Sequence, residues 1–207
     1  MDRDDARSAL DIAVKALGLR LDDACAGRLL RYAEELARWN RRLNLTGAGT
    51  AREFVAGPLF DAMTLVPVLG DPAELVDVGS GGGLPGIPAA ILRPELAVTL
   101  VEPRARRAAF LRHAVHLLGL RAEVVQGRAG ELADGGWSAA VAQAVWPPAE
   151  WLVRAPRLVR PGGAVHVLSS SPLSSADIPP ALVLEQAFHC RRPDDGKERF
   201  AFRLRLR

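Results

Sequence analysis

A glycine-rich segment contains the residues of this sequence that are best spaced for chemistry. It reads Asp77-Val78-Gly79-Ser80-Gly81-Gly82-Gly83 and fits the pattern D-x-G-x-G-x-G. Glycines adopt positive φ angles and let the backbone approach a ligand without an intervening Cβ, and a following helix offers its N-terminal amides. After a parallel strand, such a loop predicts a site for a nucleotide-type cofactor. Glu102 follows about 20 residues later, where a carboxylate accepts hydrogen bonds from ribose hydroxyls.

Two cofactor classes fit this loop. Gly81, Gly83 and Gly86 also satisfy G-x-G-x-x-G, the pattern of a dinucleotide site. Three features favour S-adenosyl-L-methionine (SAM): Asp77 lies two residues before the first glycine, the chain ends in an antiparallel strand pair, and a second domain for a hydride acceptor is lacking. A glycine turn with a structural role only is the third interpretation.

The elements that must position this loop alternate between strand and helix. The predicted helices cover about Ile87–Leu92, Arg104–Leu118 and Pro147–Val159, the last one started by prolines. This alternation predicts a parallel sheet with helices on both faces. Leu182–Phe188 and Phe200–Leu206 are separated by a short polar turn, so we expect them to pair as an antiparallel hairpin. The five strands before that hairpin are predicted at Leu75–Val78, Ala97–Val101, Ala122–Val125, Ser138–Val145 and Ala164–Leu168.

The first 70 residues are predicted to be helical from the spacing of their apolar side chains. Asp22 and Asp23 would cap the second helix, and a third is expected over Phe54–Leu69 with Pro58 near its first turn. We therefore predict an α/β class I SAM-dependent methyltransferase fold, Rossmann-like, with a seven-stranded, mostly parallel sheet. Residues 1–70 would form an N-terminal helical subdomain and residues 71–207 the SAM-binding domain.

Composition narrows the class of protein further. With 27 Lys+Arg, 24 Asp+Glu and 49% hydrophobic residues, the chain has the make-up of a soluble globular domain, and its apolar stretches are too short to span a membrane. Every basic residue except Lys15 and Lys197 is arginine, so the small positive charge is weak evidence for nucleic acid. Cys25 and Cys190 lie far apart without metal-ligand neighbours. We expect a cytoplasmic, metal-free monomer.

With these motifs in view, the sequence resembles the RsmG (GidB) family, SAM-dependent methyltransferases that modify guanine N(7) in small-subunit ribosomal RNA. The resemblance includes Trp39-Asn40 with Asn44-Leu45-Thr46. Its most specific part is the tail Leu84-Pro85-Gly86-Ile87-Pro88 after the glycines. Arg106-Arg107 and Gly127-Arg128-Ala129 also match family signatures. The resemblance implies 16S rRNA or the small ribosomal subunit as the partner.

The resemblance also implies roles for individual residues. Gly79 and Leu84 would line the cofactor pocket, Glu102 would hold the ribose, and Ala129-Gly130 would pass beside the adenine. The predicted cofactor-binding residues are Asp77, Gly79, Ser80, Gly81, Gly83, Leu84, Glu102, Ala129, Gly130 and Gln143. The candidate substrate contacts are Asn40, Asn44, Arg106, Arg107 and Arg199.

The sequence departs from the family pattern where that family meets its cofactor or RNA. Gly130 replaces a Glu, Gln143 replaces an Arg, Ser169-Ser170 replaces Lys-Gly, and Pro58 replaces a His. Losing Arg and Lys removes charges that hold phosphates or carboxylates. Two alternatives therefore stand beside the rRNA hypothesis: a SAM-binding, ribosome-associated homologue with impaired catalysis, and a methyltransferase for another RNA or a small molecule.

No catalytic acid or base is predicted. Guanine N7 is an aromatic lone pair without a proton to lose, so methyl transfer needs in-line positioning and exclusion of water. Two interpretations remain for Trp146 and Trp151, which either stack on a base taken out of the RNA or pack in the core. His113 and His116 have the spacing of a metal-binding pair but no third ligand nearby, which favours a surface or packing role.

Overall fold

The computed structural model describes residues 2–207 of the chain. Two long helices come first, α1 (Asp2–Ala16) and α2 (Asp23–Leu43). Asp22 caps α2 by accepting a hydrogen bond from the Cys25 N–H at 2.6 Å, in agreement with the predicted cap. One face of α2 is buried and carries the predicted apolar stripe, including Leu29, Tyr32, Ala33 and Leu36.

A broken helical segment follows, made of α3 (Ala51–Phe54), a π-helical turn (Val55–Leu59), α4 (Phe60–Met63) and α5 (Val66–Leu69). The side chain of Thr50 caps its start, so the segment begins before the predicted Phe54. The prediction that Pro58 lies near the first turn is wrong, because Pro58 lies inside the π-helical turn. Proline has no N–H to donate, and the widened turn accommodates it within the helix.

Seven strands form one sheet: β1 (Glu74–Val78), β2 (Ala97–Val101), β3 (Ala122–Val125), β4 (Trp137–Ala142), β5 (Val159–Ser169), β6 (Leu182–Arg191) and β7 (Glu198–Leu206). Their order across the sheet is β3-β2-β1-β4-β5-β7-β6. The first five are parallel, and β7 pairs antiparallel with both β5 and β6. This arrangement confirms the predicted mostly parallel sheet and its terminal antiparallel pair.

Each face of the sheet has its own hydrophobic core. The N-terminal helices, α6 (Gly86–Leu92) and α7 (Ala105–Leu118) cover one face, where helix side chains such as Ile87 and Phe110 share a core with Leu100 of β2. The other face packs against α8 (Pro148–Arg154), with Trp151 and Leu152 buried there. Helices therefore lie on both faces, as the alternating pattern predicted. None of the helices within residues 2–207 has the combined length and apolar character needed to cross a bilayer.

Several strand boundaries differ from the prediction, among them the end of β4 and the start of β5. Strand β4 ends at Ala142, so Val145 lies outside the sheet and is partly exposed. Strand β5 begins at Val159 rather than Ala164, because the Pro161-Gly162-Gly163 turn is a bulge inside the strand. The register shows this directly, since Trp137 pairs with Val159 while Ala139 pairs with Ala164. The bulge keeps the glycines out of the regular ladder.

Candidate functional site

The glycine loop is tied to the carboxyl end of the neighbouring strand by backbone hydrogen bonds. The N–H groups of Gly79 and Ser80 both donate to the Val101 carbonyl, at 2.8 and 3.0 Å. The Ser80 carbonyl in turn accepts from Gly83 and Leu84, at 2.6 and 3.1 Å. The Ser80 hydroxyl donates to the Asp77 carbonyl at 2.8 Å. The loop is therefore a fixed structure in which the ends of β1 and β2 are held together.

Glycine is required at two points of this loop by conformation and by space. Gly79 has φ +74°, and a Cβ there would lie 2.5 Å from the Val145 Cγ2 atom. Gly83 has φ +93°, and its Cβ would lie 2.4 Å from the Ile87 Cδ1 atom. Residues with a Cβ rarely adopt such angles. The local geometry thus explains why this turn is built from glycines.

Glu102 directly follows β2 and is buried beside the loop, with 3% of its surface exposed. Its Oε2 atom accepts a hydrogen bond from the Gly81 N–H at 3.0 Å, and its Oε1 atom accepts one from the Arg104 N–H at 2.9 Å. A carboxylate has about four acceptor positions, so each oxygen retains capacity for a further donor. The two amides fix the carboxylate in a single orientation toward the loop.

The Asp77 side chain holds the segment that follows the glycine loop by a hydrogen bond. Its Oδ2 atom accepts from the Gly86 N–H at 3.0 Å, while its Oδ1 atom is buried without a hydrogen-bond partner among residues 2–207. Burial, with a smaller contribution from the nearby Glu102 carboxylate, raises the pKa of Asp77 to about 8, although the hydrogen bond from Gly86 and the nearby Ser80 hydroxyl oppose the shift. The carboxyl group is therefore mostly protonated at neutral pH.

An open cavity of about 490 Å³ lies over the loop at the carboxyl ends of β1, β2 and β4. This edge of a parallel sheet is where ligands bind in open α/β folds. The cavity brings together most of the predicted cofactor-binding residues, and its lining includes Gly79, Ser80, Gly81, Leu84, Glu102 and Gln143. Glycine backbone, a buried carboxylate and an amide side chain form a donor and acceptor set that fits a nucleoside-type cofactor.

Tyr32 on α2 connects the N-terminal helices to the loop, a contact that the sequence analysis did not identify. Its hydroxyl donates to the Gly82 carbonyl at 2.5 Å, and its ring packs edge-on against Phe54 at 5.4 Å between centroids. Burial, followed by the proximity of Asp77, raises the pKa of Tyr32. Its position in the apolar stripe of α2 indicated a core residue, and only the tertiary structure shows the hydroxyl contact.

Replacing Tyr32 with phenylalanine is expected to lower the free energy of unfolding by about 1–3 kcal/mol, because the buried Gly82 carbonyl would lose its partner. Urea unfolding measures this loss. We expect a weaker affinity for S-adenosylhomocysteine as well, since the Tyr32 hydroxyl holds the glycine loop at Gly82. An unchanged stability would show that water replaces the hydroxyl.

The structure places Ala129 and Gly130 away from the main cavity. They lie in a short 3-10 turn (Ala129–Glu131) and line a separate groove with Trp146, Arg154 and Arg157. The Ala129 carbonyl accepts a hydrogen bond from the Arg157 guanidinium. A contact of these two residues with adenine therefore stays a prediction.

The candidate substrate residues near the end of α2 have structural contacts. The Asn40 side chain spans the following loop, with Nδ2 donating to the carbonyls of Thr46 and Ala48, both at 2.9 Å. Its Oδ1 atom accepts from Leu45 and Thr46. Asn44 ends the helix in the left-handed conformation, with φ 47°. These contacts give Asn40 and Asn44 a structural role at the end of α2, and a substrate contact remains a prediction.

The basic candidates differ in their positions. Arg107 lines the main cavity and donates to the Asn44 carbonyl at 3.1 Å, whereas Arg106 is exposed outside it. His113 on the same helix contacts Glu35 of α2 at 3.1 Å. Within residues 2–207, no cluster of three potential metal ligands occurs.

Arg199, at the start of β7, belongs to a charged cluster beside the main cavity. Its Nε atom lies 2.7 Å from Asp61 Oδ1, and Arg192 approaches Asp61 Oδ2 at 3.1 Å. Arg192 also pairs with Asp195. Sequence reasoning identified Arg199 without its partners. Asp61 is far from it in the chain, and Arg192 lies in the polar turn between β6 and β7.

The comparison with known families decides between the cofactor classes considered above. A sequence profile of the GidB family, described as rRNA small subunit methyltransferase G, matches residues 26–174. The chain belongs to this family. The GidB relatives include a protein of Neisseria meningitidis serogroup A named ribosomal RNA small subunit methyltransferase G, which is 34% identical over 158 residues, or 76% of each chain. A protein of the same name from Xanthomonas axonopodis pv. citri is 40% identical over 163 residues, which is 78% of this chain and 76% of that protein.

Solved structures confirm the predicted class I methyltransferase fold of this GidB chain. A 1,6-didemethyltoxoflavin-N1-methyltransferase from Burkholderia thailandensis aligns with a TM-score of 0.55 and 18% identity over 91% of both chains. TrmN from Thermus thermophilus aligns with a TM-score of 0.55 and 20% identity, over 81% of this chain and 53% of that one. At these sequence identities the structural similarity supports the fold only.

Proposed function

We propose that this chain transfers a methyl group from SAM to N7 of a guanine in small-subunit ribosomal RNA. The observation that carries the proposal is the loop over residues 79–88, which has the family sequence and forms one wall of a cavity faced by the buried Glu102. Residues 71–207 would form the SAM-binding domain. Residues 1–70 would form a helical subdomain that holds the loop through Tyr32.

Cofactor binding is assigned to the loop and to the strand ends around it. Gly79, Ser80 and Gly81 would present backbone groups to the cofactor, and Glu102 would accept hydrogen bonds from the ribose hydroxyls. Gly83 and Asp77 would act by shaping the loop, since the Asp77 carboxyl holds Gly86. The remaining cofactor contacts are assigned to Leu84, Gln143 and, with an adjustment of the 3-10 turn, Ala129 and Gly130.

The chemistry requires few functional groups from the protein. When bound, SAM supplies a methyl group on a positively charged sulfur, so the S–C bond breaks as the N7–C bond forms and the positive charge passes to guanine. Because N7 carries no proton, no general base is needed. The residues around the cavity therefore act by binding, orienting and excluding water. Candidate contacts to the RNA are Arg106, Arg107, Asn40, Asn44 and Arg199.

Replacing Glu102 with glutamine is expected to weaken S-adenosylhomocysteine binding by about 10–100-fold. A hydrogen bond to a charged group contributes about 1.5–3 kcal/mol, and an amide cannot accept from both Gly81 and Arg104 while also holding the ribose. Titration calorimetry measures the affinity. Exposed Glu34→Gln, on α2 and outside the cavity lining, serves as the matched control and should bind normally. Equal affinities for both variants would remove Glu102 from the ribose site.

The function itself is tested by transfer of labelled methyl from SAM. The acceptors are small ribosomal subunits and naked 16S rRNA from cells that lack the enzyme, followed by location of the labelled nucleotide. We expect label on a guanine at N7. Intact S-adenosylhomocysteine binding without label on rRNA would refute the assignment and favour another acceptor or a non-catalytic homologue. A thermal shift with S-adenosylhomocysteine but not NAD is expected, because a ligand stabilises the state that binds it.

A further inference from the structure

The positive charge of the chain is concentrated in two segments, residues 36–52 and 103–122. Together they contain nine arginines and no Asp or Glu. The rest of the chain carries 18 basic and 24 acidic residues, so it is net negative on its own. Arginines clustered on one face of a protein are typical of a site for a polyanion. The two segments are far apart in sequence, so only the fold decides whether they form one surface.

The structure packs these segments against each other as the end of α2 and the start of α7. At one end of the contact, the His113 ring nitrogen lies 3.1 Å from the Glu35 carboxylate. At the other end, the Arg107 guanidinium donates to the Asn44 carbonyl at 3.1 Å. Residue numbers rise along α2 while they fall along α7, so the two helices pack antiparallel. The basic end of α2 therefore lies beside the basic start of α7.

Helical spacing brings Arg42 and Arg106 to the same part of this contact. Trp39 packs on Phe110 with ring centroids 5.6 Å apart. Arg42 is three residues after Trp39 and Arg106 is four residues before Phe110, so each arginine lies about one turn further along the same face of its helix. Both arginines are exposed, and neither has an acidic partner within residues 2–207. Neighbouring like charges repel, and a bound anion relieves that repulsion.

This basic surface continues to the mouth of the cofactor cavity. Arg104 and Arg107 line the cavity together with Leu45, which lies just after the end of α2. Arg104 is exposed, and it has no salt bridge to any residue that the structure describes. We call Arg42, Arg104 and Arg106 the α2–α7 surface. An anionic chain bound there would pass directly beside the methyl donor.

The region near the ends of β4 and β5 has a different charge distribution. Gln143 and Ser169 occupy positions where the family pattern has Arg and Lys. Arg199 is 14% exposed there, and its Nε atom lies 2.7 Å from the Asp61 carboxylate. Its charge is therefore compensated within the protein. The arginines of the α2–α7 surface are exposed and uncompensated, which leaves them available to phosphates.

We propose that the α2–α7 surface binds the sugar-phosphate backbone of the RNA strand that carries the acceptor guanine. Its guanidinium groups contact phosphate oxygens and do not read bases, since a guanidinium matches the geometry of a phosphate. Such contacts fix the register and orientation of a nucleic acid. The inference rests on the proposed guanine-N7 activity and adds the place where the RNA strand docks.

Salt-dependent RNA binding tests the surface without requiring turnover. Fluorescence anisotropy of a labelled single-stranded RNA measures its affinity for the full chain with S-adenosylhomocysteine, at about 50 to 200 mM salt. Arg42→Gln combined with Arg106→Gln should weaken binding about tenfold or more near 0.1 M salt. The slope of log affinity against log salt should become shallower by about 1.4, because each lost phosphate contact removes about 0.7. The loss should be the same for RNAs of different sequence.

A control of equal charge separates this surface from the net charge of the protein. Arg20→Gln combined with Arg207→Gln removes the same charge from two exposed arginines. Arg20 lies before the other end of α2, and Arg207 follows β7. This control should retain the RNA affinity and the salt slope of the wild type. Affinity for S-adenosylhomocysteine is the folding check and should be unchanged in both variants, since none of the four arginines lines the cofactor cavity.

Methyl transfer to naked 16S rRNA gives a second measurement. The variant with Arg42→Gln and Arg106→Gln should raise KM for the RNA about tenfold and leave kcat nearly unchanged. Contacts to the RNA backbone act equally in the ground state and the transition state, so their loss affects binding and not the chemical step.

The outcomes separate the surface from the proposed function. The surface is refuted if its double variant binds RNA like the wild type, or if the control variant loses as much affinity. A loss of affinity for small ribosomal subunits but not for naked rRNA would also overturn it and indicate an acidic protein partner. Label on guanine N7 together with any of these results would leave the function standing. A loss specific to the surface variant, without label on rRNA from the wild type, would support the surface and refute ribosomal RNA as the acceptor.

Discussion

Replacing Gly83 with alanine is expected to lower the free energy of unfolding by about 2–4 kcal/mol and to abolish measurable S-adenosylhomocysteine binding. An alanine at φ +93° is strained, and its Cβ would lie 2.4 Å from Ile87 Cδ1 and 3.1 Å from the Tyr32 hydroxyl oxygen. Left-handed strain costs about 1–2 kcal/mol and overpacking a core about 1–3 kcal/mol. Urea unfolding and calorimetry measure the two effects.

A second glycine separates strain from steric overlap. Gly119 also has a positive φ, +60°, but a Cβ there meets nothing within 4 Å. Gly119→Ala should therefore cost only about 1 kcal/mol and leave ligand binding intact. If both variants lost the same stability, the crowding of Gly83 against Ile87 and Tyr32 would have no energetic role.

The second large effect is expected from His166→Leu, which should increase stability in acid. His166 lies in the middle of β5 with no exposed surface, and neither ring nitrogen has a hydrogen-bond partner within residues 2–207. Burial, followed by the positive charge of Arg203 on the adjacent strand, lowers the pKa of His166 to about 3. The folded protein therefore keeps this imidazole neutral throughout the physiological range.

The direction of the pH dependence follows from the two pKa values. Below the ordinary value of 6.5, the unfolded chain binds a proton that the folded state does not, so wild-type stability falls as the pH decreases from 6.5 toward 3. At pH 5 the loss from this residue is about 2 kcal/mol. His166→Leu should remove it. The stability difference between variant and wild type should therefore grow by that amount between pH 7.5 and pH 5.

Chemical denaturation at several pH values measures this difference. Exposed His116→Gln is the matched control, because it removes a histidine without changing the core. Asp77 contributes a slope of the opposite sign, since its raised pKa makes stability fall as the pH rises from 3.8 toward 8. The comparison of His166→Leu with wild type cancels that contribution. A constant difference across pH would show that the pKa of His166 is the same in the folded and the unfolded protein.

The strands and most helices could be predicted from the sequence because their side-chain patterns are local. Strands β2 and β3 have the predicted bounds, Ala97–Val101 and Ala122–Val125. Short apolar runs between glycine or polar turns determine these strands. The π-helical turn around Pro58 and the bulge at residues 161–163 were not predicted. Both depend on whether the surrounding packing tolerates an irregular backbone, which local patterns do not report.

The candidate site likewise has a part that the sequence determined and a part that only the tertiary structure shows. The sequence by itself determined the glycine loop, the carboxylate of Glu102 and the family, because these depend on residue types at fixed spacing along the chain. Only the tertiary structure decided which distant residues meet. It brought Tyr32 onto the loop, joined Asp61 to Arg192 and Arg199, and placed Trp146 beside Gln143. Such contacts arise from the packing of helices and strand ends that are separated by many residues, and spacing along the chain carries no record of them.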